Sequence, residues 1–236
     1  MVELGVATIH LKYPKLDDAD LHQLAVSFFD IAEKGVREFI PVDAHVVLEV
    51  EQASLKVRSR IFAGAMAVGT LLSQYGNVRQ GASYFGNDIY KAGDFIIKEI
   101  KHYTGVPSSK VIATRRSATF ARRIKRIFDE VERGRINSDE AMRQLVMVLD
   151  PDGEGIVSPE LIQELKKEIE AAGDGSKKQP TFSRPNEQPP PYVLWEESKS
   201  ENPRQSLPRA PREKSLRPRR LRITRERGQI KISEVD

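Results

Sequence analysis

The spacing of apolar residues changes period several times along this chain, and each change marks an element. Residues 7–13, ATIHLKY, put Ile9 and Leu11 on one side and predict a half-buried strand. The acidic cluster Asp17, Asp18 and Asp20 supplies capping groups. Behind it, Leu21, Leu24, Ala25, Phe28, Phe29 and Ile31 form one helical face that must end before Pro41. In residues 44–61, Val46, Leu48 and Val50 alternate with Val47, Glu49 and Glu51, and Leu55 and Val57 then alternate with Lys56 and Arg58. Two strands joined by a tight turn fit this pattern. The turn, Gln52-Ala53-Ser54, has no Gly or Asn, so a single bent strand fits as well.

Helical spacing dominates from there. Residues 61–72 are rich in small side chains, with Ala63 and Ala67, and Ala65 and Gly69, four apart, which predicts a core helix that another backbone approaches closely. A long amphipathic helix over 77–103 carries Phe85, Ile89, Ala92, Ile96 and Ile100 and ends at Gly105 and Pro107. Residues 109–132 are expected to form one long helix, with Phe120, Ile124, Ile127, Phe128 and Val131 as its apolar stripe. Asn137 and Glu140 mark a cap and its return partner for the next helix, and Ser158-Pro159 opens the last one. Beyond residue 173, Pro, Ser, Lys, Arg and Gln prevail. Such a composition buries too little apolar surface to offset the entropy of ordering, so the tail is expected to be disordered. Its end is the exception. Leu221 and Ile223, then Ile230 and Ile232, alternate about Arg227-Gly228, a hairpin pattern over 219–235 that also suits addition to a partner's sheet edge.

Charge sharpens this picture only when mapped along the chain. The 236 residues carry 38 Lys and Arg against 34 Asp and Glu, a net +4. Arg115, Arg116, Arg122, Arg123, Lys125 and Arg126 crowd one stretch, and a second basic region in the tail includes Arg217, Arg219, Arg220 and Arg222. Both suit phosphate neutralisation, which makes affinity depend on salt. A solvated face balanced by Asp129, Glu130 and Glu132, or contact with anionic lipid, is the alternative for the first region. Pro189-Pro190-Pro191-Tyr192 matches a short polyproline ligand, and Tyr192 and Trp195 are the candidate docking anchors of the tail.

Several chemistries are disfavoured. The chain has no cysteine, which removes disulfides, thiolate metal sites and thiol nucleophiles and fits a reducing compartment such as the cytosol. His10, His22, His45 and His102 are dispersed, with no metal-ligand spacing, and no phosphate loop, dinucleotide fingerprint or nucleophile elbow is present. No catalytic residues, metal or cofactor are therefore assigned. Two other functions stay open: a metal-dependent nuclease using Asp43, Glu49 and Glu51, and a membrane-active effector using residues 61–72. The apolar run in the latter is too short to span a bilayer as a helix.

Residues 150–161, DPDGEGIVSPEL, resemble the calcium loop of the EF-hand family. Asp150, Asp152 and Glu154 stand at the first three side-chain ligand positions, Gly155 at the sharp turn, the Ile156 carbonyl next and Ser158 at the ninth. The twelfth position holds Leu161 in place of the bidentate Glu, so the resemblance implies a helix-loop-helix with poor or no cation binding. Residues 48–89 also resemble small bacterial proteins in which a strand pair precedes a glycine-rich helix, which implies a bacterial cytosolic origin and no site.

Together these patterns predict an α+β protein. A small antiparallel sheet packed on helices would fill residues 1–105, an all-helical extension 106–173, and a basic tail 174–236. The expected function is a non-catalytic binding or adaptor subunit that engages nucleic acid or an acidic protein surface.

Overall fold

The computed structural model describes residues 1–52, 54–74, 78–151, 153, 157, 159–174, 219–226 and 228–235. The elements in chain order are β1 (Val2–Leu11), α1 (Asp18–Phe39), β2 (Ala44–Glu51), β3 (Lys56–Ala63), α2 (Ala65–Gln74), α3 (Val78–Thr104), β4 (Val111–Ser117), α4 (Thr119–Glu132), α5 (Ser138–Leu149), α6 (Pro159–Asp174), β5 (Arg220–Glu226) and β6 (Gln229–Glu234). Their strands form one antiparallel sheet in the order β4-β1-β3-β2-β5-β6. The protein is thus α+β, an antiparallel sheet packed on helices. Its first four strands run β-α-β-β-α-α-β, a split βαβ arrangement like that of ferredoxin-like folds but with two helices in the second crossover.

Local chemistry explains several element boundaries. Asp17 caps α1 by accepting a 2.8 Å hydrogen bond from the Asp20 amide. Asn137 does the same for α5 through the Glu140 amide, also at 2.8 Å. The turn between β5 and β6 places Gly228 at φ 82°, a conformation that side chains with a Cβ disfavour.

The core lies on one face of the sheet. Ala7, Ile9, Leu11, Leu48, Val50, Val57 and Ile61 are buried there, with Phe28 and Phe29 of α1 and Phe85, Ile89 and Ile96 of α3. The helices α4, α5 and α6 extend this core through Phe120, Phe128, Leu145 and Leu165. Helices α3 and α4 come close because Gly86 faces Ala121; a Cβ at residue 86 would stand 2.8 Å from that of Ala121. On α6, Glu168 reaches the start of α3 and accepts hydrogen bonds from the Val78 amide at 2.6 and 2.8 Å, serving as a cap supplied from another helix.

Two expected elements are corrected. Residues 109–132 are not one helix: a short 3-10 turn at Ser108–Lys110 leads into β4, and only Thr119–Glu132 is helical. A helix over 111–117 would have no apolar face to bury, whereas Val111, Ile112 and Thr114 suit extended backbone and β1 offers them a ladder. Likewise, the helix expected over 61–72 begins at Ala65, because Ile61 and Ala63 are buried in the ladders of β3 with β1 and β2. At Gly69 it is a side chain, not the expected backbone, that comes close: a Cβ there would lie 2.2 Å from Leu161 Cδ2.

The sheet also crosses the boundary expected near residue 105. Strand β4 joins it at the β1 edge, and the β5–β6 hairpin adds to β2 of this same chain. Among the described residues no helix is long and apolar enough to cross a membrane. The expectations at Tyr192, Trp195 and Arg217, the disorder expected of the tail, and most of the calcium-loop resemblance lie outside the described residues.

Candidate functional site

The helices cover one face of the sheet, and strand alternation sends a polar set of side chains to the other. Register makes rows of them. One row runs Ser233, Arg222, Glu49, Arg58, Thr8, Arg115, and the next runs Arg220, Glu51, Lys56, His10, Ala113. Among the described residues no helix packs on this face.

Ion pairing divides the face in two. At the β5 side, Arg222 meets Glu49 at 3.3 Å, and Glu51 is shared by Arg220 at 3.6 Å and Lys56 at 3.8 Å. At the β4 side, Arg58 and Arg115 are exposed and form no ion pair among the described residues; Glu49, the cross-strand neighbour of Arg58, is paired with Arg222. They flank Thr8 in the same row, so two strand spacings of about 4.8 Å put their Cα atoms roughly 10 Å apart. Beyond them, Arg60 is fixed by Glu3 at 2.9 Å from Nε and lies over the Phe62 ring at 5.2 Å. His10 hydrogen-bonds Ser54 in the turn after β2, a structural task.

The predicted basic residues fall in three places. Arg115 and Arg116 are on β4 and point to opposite faces. Arg116 is on the helix side, where it pairs with Asp94. Arg122, Arg123, Lys125 and Arg126 are exposed on α4. Arg122 donates to the Tyr90 hydroxyl at 2.9 Å, and Arg126 meets Glu130 at 3.6 Å. Arg123 and Lys125 have no acidic partner among the described residues. Of the three acids expected to balance this helix, only Glu130 does so; Asp129 and Glu132 both bind Arg79 of α3, the former at 2.8 Å.

The third place is the C-terminal hairpin, where the described arginines are engaged. Arg219 meets Asp18 at 2.5 Å, and this partner holds its guanidinium above an already high ordinary pKa. Arg220 and Arg222 are paired as above. Arg225, not singled out in the sequence, bonds Glu33 at 2.9 Å and lies over Phe29 at 5.9 Å. Among the described residues the basic positions of β4 and β5 are held apart by β1, β3 and β2.

The alternative sites come apart. Asp43 lines a cavity of about 460 Å³ with Glu33, Arg37, His45 and Arg225. Glu49 and Glu51 are on the open face, neutralised by arginines, at the far end of the strand. No group of three or more His, Asp or Glu among the described residues is placed to hold a metal ion. The 61–72 segment turns Ile61, Ala63, Val68 and Leu72 into the core, so these residues offer nothing to lipid. Leu161, the departure from the calcium-loop pattern, is a buried core residue.

No family model, curated protein or solved structure matches this chain.

Proposed function

We propose that this protein is a non-catalytic adaptor that binds single-stranded nucleic acid across the β4 side of its open sheet face. The observation that carries this is the pair Arg58 and Arg115, flanking Thr8 without ion pairs among the described residues while Arg60, Arg220 and Arg222 on the same face are neutralised. Two guanidinium groups so spaced suit successive phosphates, and the Thr8 hydroxyl between them adds a donor. Arg60, paired with Glu3 and lying over the Phe62 ring, offers a guanidinium on which a base can stack. The outward cations Arg123 and Lys125 of α4 extend the field that attracts the ligand. The absence of cysteine is consistent with work in the cytosol.

The test is fluorescence anisotropy of a labelled single-stranded oligonucleotide with the full chain. Binding is expected at 50 mM salt, weakening toward 200 mM without dependence on base sequence. No binding at 50 mM would remove the proposal.

A further inference from the structure

The sheet ends at β4, whose outer side pairs with nothing among the described residues. Unpaired edges are templates for other strands, and proteins commonly blunt them with proline, a bulge or a cover. Here five consecutive residues, Ile112 to Arg116, are exposed, none is proline, and the one irregularity in the pairing with β1 is at Ile112, which leaves Ala113 to Ser117 in regular register.

The ladder also settles which backbone groups are free. Leu11 donates its amide to Leu55 beyond β1 on the β3 side, and Lys12 donates to Lys110 on the β4 side. Alternation along β1 therefore turns Thr8 and His10 toward β4, where they exchange hydrogen bonds with Arg115 and Ala113. Thr114 and Arg116, opposite Ile9 and Ala7, must point their amides and carbonyls outward.

Side chains define what suits this edge. Ile112, 54% exposed, and Thr114 are on the helix side, along the flank of α3 between its contacts Arg116–Asp94 and Lys101–Ser108. Arg115 is on the open side without an acidic partner. We propose that the outer edge of β4 docks an extended segment of a partner protein in which acidic and apolar residues alternate. Its backbone pairs with Thr114 and Arg116, its apolar side chains cover Ile112, and its carboxylates meet Arg115. This site is separate from the nucleic-acid face in its backbone contacts, although Arg115 borders both.

The experiment uses the full chain and a labelled ten-residue peptide alternating Glu with Val. Thr114→Pro removes only an outward amide, and proline is tolerated at a sheet edge in that orientation. Binding to the native chain is expected, with a loss of at least about tenfold in Thr114→Pro and no binding of the Lys-Val counterpart. Thr114→Pro should leave oligonucleotide binding unchanged, which separates failure here from failure of the nucleic-acid proposal. Equal peptide binding by Thr114→Pro would overturn the inference. So would a self-associated dimer, seen by sedimentation, that Thr114→Pro dissolves, since the edge would then belong to a second copy. If Thr114→Pro does not fold, peptides N-methylated at alternate amides replace it. One methylation phase should abolish binding and the other spare it, and equal behaviour of the two would count against strand addition.

Discussion

Replacing Ile223 with alanine tests what holds the C-terminal hairpin on the sheet. Ile223 is fully buried opposite Leu48, and Leu221 beside it is 5% exposed. The substitution removes three carbon groups, roughly 2.4 kcal/mol at about 0.8 each. The cavity left behind puts the whole cost near 3 kcal/mol, within the usual range of about 2–5. By contrast, the hairpin's ion pair Arg222–Glu49 is partly exposed to solvent, which screens it, and contributes about 1 kcal/mol or less. Apolar burial should therefore decide docking. Hydrogen exchange reads this directly, because Gln52 donates to the Arg219 carbonyl at 3.1 Å and alternation turns the Val50 and Leu48 amides the same way. In Ile223→Ala those three amides should lose protection by roughly 100-fold, as about 3 kcal/mol of local stability implies, while Ile9 and Leu11 keep theirs. Loss of protection in Arg222→Ala with retention in Ile223→Ala would refute the reasoning.

Glu168 provides a pH test. Burial raises its pKa above the ordinary value of 4.5, the Val78 and Arg79 amides pull it partly back, and Glu164 adds to the rise. A carboxyl with a raised folded pKa contributes stability that is present below the unfolded value and lost as pH rises through the folded one. In denaturant titrations, Glu168→Gln should therefore match or exceed the native stability at neutral pH and lose that advantage toward pH 4. Glu168→Ala, which leaves Val78 uncapped, should cost about 1 kcal/mol at neutral pH. Gly86→Val should lower stability by about 1–3 kcal/mol through its clash with Ala121, and adding Ala121→Gly should recover part of that loss in a thermal melt.

Strand periodicity and caps made much of this fold legible from sequence. Alternation from Val46 to Arg58 marked β2 and β3, and Asp17 and Asn137 stand where their side chains cap helices. Strand β4 was not legible, because an edge strand buries little and Val111 to Ser117 show no period of two. The apolar stripe beginning only at Phe120 was the available signal that the helix starts later. Alternation at Leu221 and Ile223 marked strand character in the tail, but nothing local could show that their partner is β2, 173 residues away from Arg222 at Glu49. Arg58 was missed as a site residue for a related reason. In sequence it is one polar position on a half-buried strand, and only register sets it across Thr8 from Arg115. Charge counting likewise grouped Arg219, Arg220 and Arg222 with α4, although their partners Asp18, Glu51 and Glu49 come from distant parts of the chain.

The nucleic-acid proposal is tested most directly by the salt dependence of oligonucleotide binding in two double variants. Each phosphate contact to a single strand contributes about 0.7 to the slope of log affinity against log salt. Arg58→Ala with Arg115→Ala should flatten that slope by about 1.4 and weaken binding at low salt. Arg220→Ala with Arg222→Ala should change it by less than half as much, since those side chains already face Glu51 and Glu49. An unchanged slope in the first variant, or the larger change in the second, would contradict the proposed face.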